Sequence, residues 1–140
     1  FDHDELVLVI SPHHHWRGIQ ALNPEELGKG ELLLREQGSG IREVIEHALR
    51  QHDVHIRPLL TVPDNEAIKQ MVLSGVGAAI VSALAVQREL AAGDLLRIPI
   101  AGLELRPELS LVQRKDKQLS RAAQAFCALL QPKQVQEAYC

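Results

Sequence analysis

Residues 76–81, Val-Gly-Ala-Ala-Ile-Val, carry no polar side chain at any position. A strand turns alternate residues to opposite faces, so a run like this one must be covered on both sides. It is far shorter than the roughly 20 residues of a membrane span. It is therefore expected to be a central strand of a parallel sheet with helices above and below, and this requirement organises the rest of the chain.

The flanking sequence supplies such helices and further strands. Leu6–Ile10, bounded by Asp2–Glu5 and by Ser11-Pro12, reads as a buried strand, and residues 31–35 as a second one. Between them, Asn23-Pro24-Glu25-Glu26 carries the marks of a short helical turn, with a capping Asn, a Pro at the first position and a Glu able to reach back. Gly28 and Gly30 stop it. Gly38-Ser39-Gly40 then turns the chain into a helix whose apolar positions Ile41, Val44, Ile45, Ala48 and Leu49 fall on one face. Residues 56–62 read as a strand broken by Pro63. Asp64 caps the next helix, with Ile68, Met71 and Val72 on its apolar face and Gly75 at its end. After the central run, Ser82 is expected to cap a helix through Leu90 that Gly93 terminates. Residues 95–100 and 108–113 read as strands, and Ser120 opens a last helix carrying Ala122, Ala125, Phe126, Leu129 and Leu130 on one face, closed by Pro132, with a frayed tail from Lys133. Strands and helices in alternation predict an α/β fold with an open, mostly parallel sheet and helices on both faces, whose ligand loops lie at the carboxyl ends of the strands.

Composition excludes several functions. At 140 residues the chain can bury one real core, and with 3% aromatics that core must be aliphatic. A net charge of −3 argues against a nucleic-acid surface on this chain. Nothing resembles an export signal, and no apolar run is long enough for a bilayer. Beginning at Phe1 almost directly on a strand, the chain reads as a fragment of a longer protein. Cys127 and Cys140 make no disulfide framework, which fits reduced thiols and a cytoplasmic location; Cys127 reads as a small core residue. No nucleophile elbow, phosphate loop, dinucleotide fingerprint or His-Glu-x-x-His is present, so no catalytic set is assigned.

Three ordered stretches resemble the second lobe of the effector-binding domain of LysR-type transcriptional regulators. They are Glu5-Leu6-Val7-Leu8-Val9-Ile10-Ser11-Pro12-His13-His14, a strand ending in a Ser-Pro-x-His turn; Leu34-Arg35-Glu36-Gln37-Gly38-Ser39-Gly40-Ile41-Arg42-Glu43; and Asn65-Glu66-Ala67-Ile68-Lys69-Gln70-Met71-Val72 followed by Gly75-Val76-Gly77-Ala78-Ala79-Ile80-Val81-Ser82. The end of the chain, with Ser120-Arg121-Ala122-Ala123-Gln124-Ala125-Phe126, is similar to the closing helix of these domains. The resemblance implies a fold like that of type 2 periplasmic binding proteins. Residues 1–113 would form the second lobe and 114–140 a segment returning toward a first lobe. A small effector would sit in the interlobe cleft, in a homo-oligomer whose DNA contacts are made by a winged helix-turn-helix outside this chain. Gln37 stands where many members have Pro, and Ile41 where many have Thr.

The candidate effector residues are Gly38, Ser39, Gly40, Asn65, Glu66, Ser82 and Gln113. The physical case is best for Gly38-Ser39-Gly40: the first amides of a helix lack internal partners and attract anions, glycine allows close approach, and the Ser39 hydroxyl can donate. Plain capping competes with ligand contact at Ser39, Asn65 and Ser82, and is favoured at Asp64. Asn65 and Glu66 start a second helix on the same edge, Ser82 ends the central strand, and Gln113 would lie near the hinge. An anionic effector follows, with no cofactor and no metal. His13-His14-His15 reads as a surface turn, because no Cys, Asp or Glu stands at a ligand spacing around it. A solute-binding lobe of a transport protein with the same fold is the competing reading.

Overall fold

The computed structural model describes residues 4–107, 109–116 and 118–130. The expectations for Asp2, Glu108, Pro132, the tail from Lys133 and Cys140 lie outside them. The elements are β1 (Leu6–Ile10), α1 (Pro24–Leu27), β2 (Leu32–Arg35), α2 (Gly40–Arg50), β3 (Leu60–Val62), α3 (Asn65–Leu73), β4 (Ala78–Ser82), a 3-10 turn (Leu84–Val86), α4 (Gln87–Ala92), β5 (Leu96–Ile98) and α5 (Arg121–Leu130). Two compact units result. Asp4–Pro107 forms one, and α5 belongs to the other.

The larger unit is a five-stranded sheet in the order β3-β2-β4-β1-β5. β2 pairs parallel with both β3 and β4, whereas β1 is antiparallel to β4 and to β5. Four strands thus share one direction and β1 alone opposes them. β4 sits at the centre, and its residues Ala78–Val81 are all buried, as their composition requires.

Alternation along the strands divides the core in two. On one face Leu6, Leu8 and Ile10 of β1 join Leu32 and Leu34 of β2 and Ile80 of β4, packed under Leu27 of α1 and Ile45 and Leu49 of α2. On the other, Val7, Val9, Leu33, Ala79 and Val81 pack under Ile68 and Val72 of α3 and Val86. Each large aliphatic side chain so enclosed contributes about 1.5–3 kcal/mol. Helices on both faces are what the sequence predicted.

Several boundaries differ from expectation, each with a local cause. β3 begins at Leu60, because Pro58 has no amide to donate to the ladder; the amide of Leu59 is the first to bond β2, to the Leu32 carbonyl at 2.8 Å. β4 begins two residues late. The amides of Gly75 (φ +77°) and Val76 bond back to the carbonyls of Val72 and Met71, so the stop of α3 claims Val76 and leaves it exposed. Ser82 is not the cap of the following helix. It is the last residue of β4, opposite Leu6, and the Ala83 amide still bonds the Glu5 carbonyl; a 3-10 turn then intervenes before α4. Residues 109–113 adopt no strand; alternation of apolar and polar residues does not by itself supply a neighbouring edge.

Candidate functional site

Because β2, β3 and β4 run parallel, their carboxyl ends, Arg35, Val62 and Ser82, share one edge of the sheet, with Arg35 in register with Val62. Two of the loops that leave this edge open directly into α2 and α3, as in other open α/β sheets that bind ligands there.

After β2, residues 36–39 make a tight turn closed by the Ser39 amide on the Glu36 carbonyl at 3.2 Å. Gly38 occupies its third position with φ +87°, which a side chain would strain. α2 then starts with Ser39 as its backbone cap, its carbonyl accepting from the Glu43 amide at 3.0 Å. The Ser39 hydroxyl makes no capping hydrogen bond. The first amides of α2 and the hydroxyl beside them are thus not joined to each other, unlike the usual serine cap.

After β3 the allocation differs. The Asp64 carboxylate caps α3 through the Ala67 amide at 2.7 Å, as expected. Asn65 is free of that duty, and its Oδ1 accepts from Arg35 Nη1 at 2.7 Å across 30 positions of sequence. Glu66 turns to its own helix, paired with Lys69 at 2.9 Å and Gln70 at 3.0 Å; bonds from Gln70 and then Lys69 hold its carboxyl below the usual range.

Arg35 is the residue the sequence reading missed. Its Nε and Nη2 each bond Glu36 at 2.9 Å, which raises the guanidinium pKa further, with Asp64 adding a smaller push in the same direction. Its place as the last residue of β2 was the available signal, since a side chain at a strand's carboxyl end reaches the loop edge. Arg42, buried in the first turn of α2, braces the arrangement from below: Nη1 donates to the Arg35 carbonyl at 2.8 Å and Nε to Glu46 at 2.7 Å.

The fold therefore places Gly38 and Ser39 in the turn after β2, Gly40 at the start of α2, Asn65 and Glu66 at the start of α3 and Ser82 at the end of β4, all at one edge of the sheet, and links Asn65 to Arg35 directly. Gln113 belongs to the other unit, exposed in the stretch before α5. A cation, a free hydroxyl, a side-chain amide and unpaired helix amides suit recognition of a small anion. Among the described residues, no helix is long and apolar enough to cross a membrane.

Comparison with known proteins gives this edge a context. The profile of the LysR substrate binding domain matches residues 1–134. The RuBisCO operon transcriptional regulator of Allochromatium vinosum is 34% identical over 126 residues, covering 90% of this chain and 42% of the relative. The HTH-type transcriptional regulator CbbR of Xanthobacter flavus is 32% identical over 131 residues, covering 93% of this chain and 39% of the relative. The chain thus spans about two-fifths of the length of these curated relatives. Among solved structures, the CcmR regulatory domain of Synechocystis PCC6803 in complex with 2-PG superposes with a TM-score of 0.75 at 28% identity, covering 93% of this chain and 62% of that one. The two-faced sheet of α/β connections, the family profile and the regulators it resembles agree: this chain belongs to the LysR substrate binding domain family.

Proposed function

We propose that the carboxyl edge of β2, β3 and β4 senses a small anionic effector on behalf of a longer LysR-type transcription regulator. The observation that carries this reading is the start of α2, where Ser39 leaves its hydroxyl uncommitted beside the Arg35–Asn65 link. An anion seated there receives hydrogen bonds from Ser39 and the first amides of α2, with Arg35 supplying charge once it exchanges Glu36 for the ligand. Gly38 and Gly40 let the ligand approach the backbone. Asn65 orients Arg35 and can add a donor. Ser82 lines the same edge, and Glu66 shapes α3 at its rim. The 2-PG complex of CcmR, at 28% identity, supports a small molecule as the ligand class.

The role is regulatory rather than catalytic, since the curated relatives are transcription regulators, which also disfavours a transport role. In this reading residues 1–113 serve as the second lobe. The effector favours one of two arrangements of the whole protein and so shifts DNA binding through a helix-turn-helix domain carried by a cytoplasmic homo-oligomer; this needs unequal effector affinity in the two states. The test is calorimetric titration of the product of the whole reading frame, first with 2-PG and then with sulfate and small phosphates and carboxylates. Saturable binding that falls about tenfold or more in Arg35→Gln and Ser39→Ala is the expected result, the loss of one charge-assisted hydrogen bond being worth about 1.5–3 kcal/mol. Binding unaffected by either substitution would place the effector elsewhere.

A further inference from the structure

The opposite edge of the sheet carries a second constellation. There β1 ends and β2 and β4 begin, and a cavity of about 470 Å³ is lined by His13, His14, His15, Glu31, Val76 and Gly77, among others. Nε2 of His14 and Nε2 of His15 both lie 3.4 Å from the same Glu31 oxygen. One ligand atom from each residue fits within 4.8 Å of the others. We propose that His14, His15 and Glu31 bind a divalent transition-metal ion of the zinc or nickel class, at a site independent of the effector edge.

Geometry and ligand chemistry favour this. A tetrahedral ion with bonds of about 2.0–2.1 Å holds its ligand atoms about 3.4 Å apart, the separation both imidazoles keep from Glu31. Two imidazoles and one carboxylate suit late divalent ions rather than calcium or magnesium, and three protein ligands leave a position for water or for His13 on the cavity wall. Consecutive histidines would splay on a regular strand. Here they lie on a turn in which the His14 amide bonds the Ser11 carbonyl, and the two rings stack with centroids 4.5 Å apart. Glu31 is held from behind by β4: the Ala78 amide bonds its carbonyl at 3.1 Å, and at Gly77 a side chain's first carbon would stand only 2.8 Å from that same oxygen. The 15 residues between His15 and Glu31 hide the set from a reading of spacing.

The site also has a reporter. Trp16, the single tryptophan, is buried with its ring 4.8 Å from His14 and 5.4 Å from His15, and its amide donates to His14 Nδ1 at 3.2 Å. That bond leaves the neutral ring's proton on Nε2. Coordination through Nε2 moves the proton to Nδ1, so the Trp16 amide gives up this acceptor and the indole senses the change.

The experiment is titration of the chelator-treated 140-residue chain with Ni²⁺, reading Trp16 fluorescence, and with Zn²⁺ by calorimetry. One equivalent should bind saturably and quench Trp16. Glu31→Gln and His15→Gln should each weaken binding about tenfold or more, while His47→Gln, on the exposed side of α2, should change nothing. The His15 side chain is 63% exposed, so its substitution leaves folding intact and decides the matter alone. Absence of saturable quenching, or an affinity unchanged in His15→Gln, would overturn the proposal.

Discussion

Ser39 and Asp64 both stand at helix starts, where capping is favoured for Asp64 and competes with ligand contact at Ser39, and the fold uses them differently. Asp64 bonds the Ala67 amide, so Asp64→Ala should cost about 1 kcal/mol in urea-unfolding free energy. Ser39 makes no such bond, and Ser39→Ala should change stability by less than about 0.5 kcal/mol while lowering anion affinity. Equal losses of stability would remove the reason for assigning Ser39 to a ligand. Arg42 is the opposite case, a buried cation that serves Glu46 and the end of β2; Arg42→Ala should destabilise by about 2 kcal/mol, since the Arg35 carbonyl loses this donor and Glu46 keeps only the Arg50 pair at 3.8 Å. The sequence marked Ser39 and Asn65 because glycine-flanked turns and helix starts have local signatures. Arg35 was marked only by its place at the end of β2, and Glu31 not at all, since their pairings with Asn65 and with His14 and His15 exist only once the sheet is assembled.

Elements built on local signals were legible, and those that depend on a neighbour were less so. Periodicity located α2 and α3 well, because a helix's pattern is internal to it. Strand limits shifted wherever pairing decided them: Pro58 delayed β3, the stop of α3 took Val76 from β4, and the pairing of Ser82 with Leu6 kept that residue from acting as a cap. β1 is tied to its neighbours partly by charge. Arg97 of β5 bonds Glu5 beside the start of β1, and this hydrogen bond, with weaker attraction from Arg97 and Arg106, holds the Glu5 carboxyl below the usual range. The unfolded chain therefore binds that proton more readily than the folded one. The stabilisation is present above the ordinary carboxylate pKa and is lost as pH falls through the lower folded value. Arg97→Gln should flatten the acid limb of a stability-against-pH curve measured by thermal melting; an unchanged limb would show that the exposed pair contributes nothing. At the other edge, Gly77→Ala should lower the melting temperature, since the added carbon would sit 2.8 Å from the Glu31 carbonyl oxygen and 3.2 Å from Leu59.

At the scale of the molecule, one sheet presents two ends with different chemistry: a guanidinium, a hydroxyl and helix amides at the carboxyl edge of β2, β3 and β4, and imidazoles with a carboxylate at the other. The fold class was legible because residues 78–81 admit only a strand covered on both faces. The direction of β1 and the absence of a strand at 109–113 were not, since both depend on what lies alongside. α5 exposes Phe126 and Leu129, at 58% and 85%, and an uncovered apolar side of this kind predicts self-association. Light scattering should show the mass rising with concentration and Phe126→Gln should suppress the rise; a constant monomeric mass would dismiss it. Whether the carboxyl edge senses an effector is decided by the thermal shift measured with 2-PG and with small anions on the product of the whole reading frame, with and without Arg35→Gln. A ligand at a hundred times its Kd should add about 2.7 kcal/mol of stability, a rise of a few degrees, and a tenfold or greater loss of affinity in the variant should cut that rise to about half or less. An undiminished rise in Arg35→Gln would place the effector away from this edge.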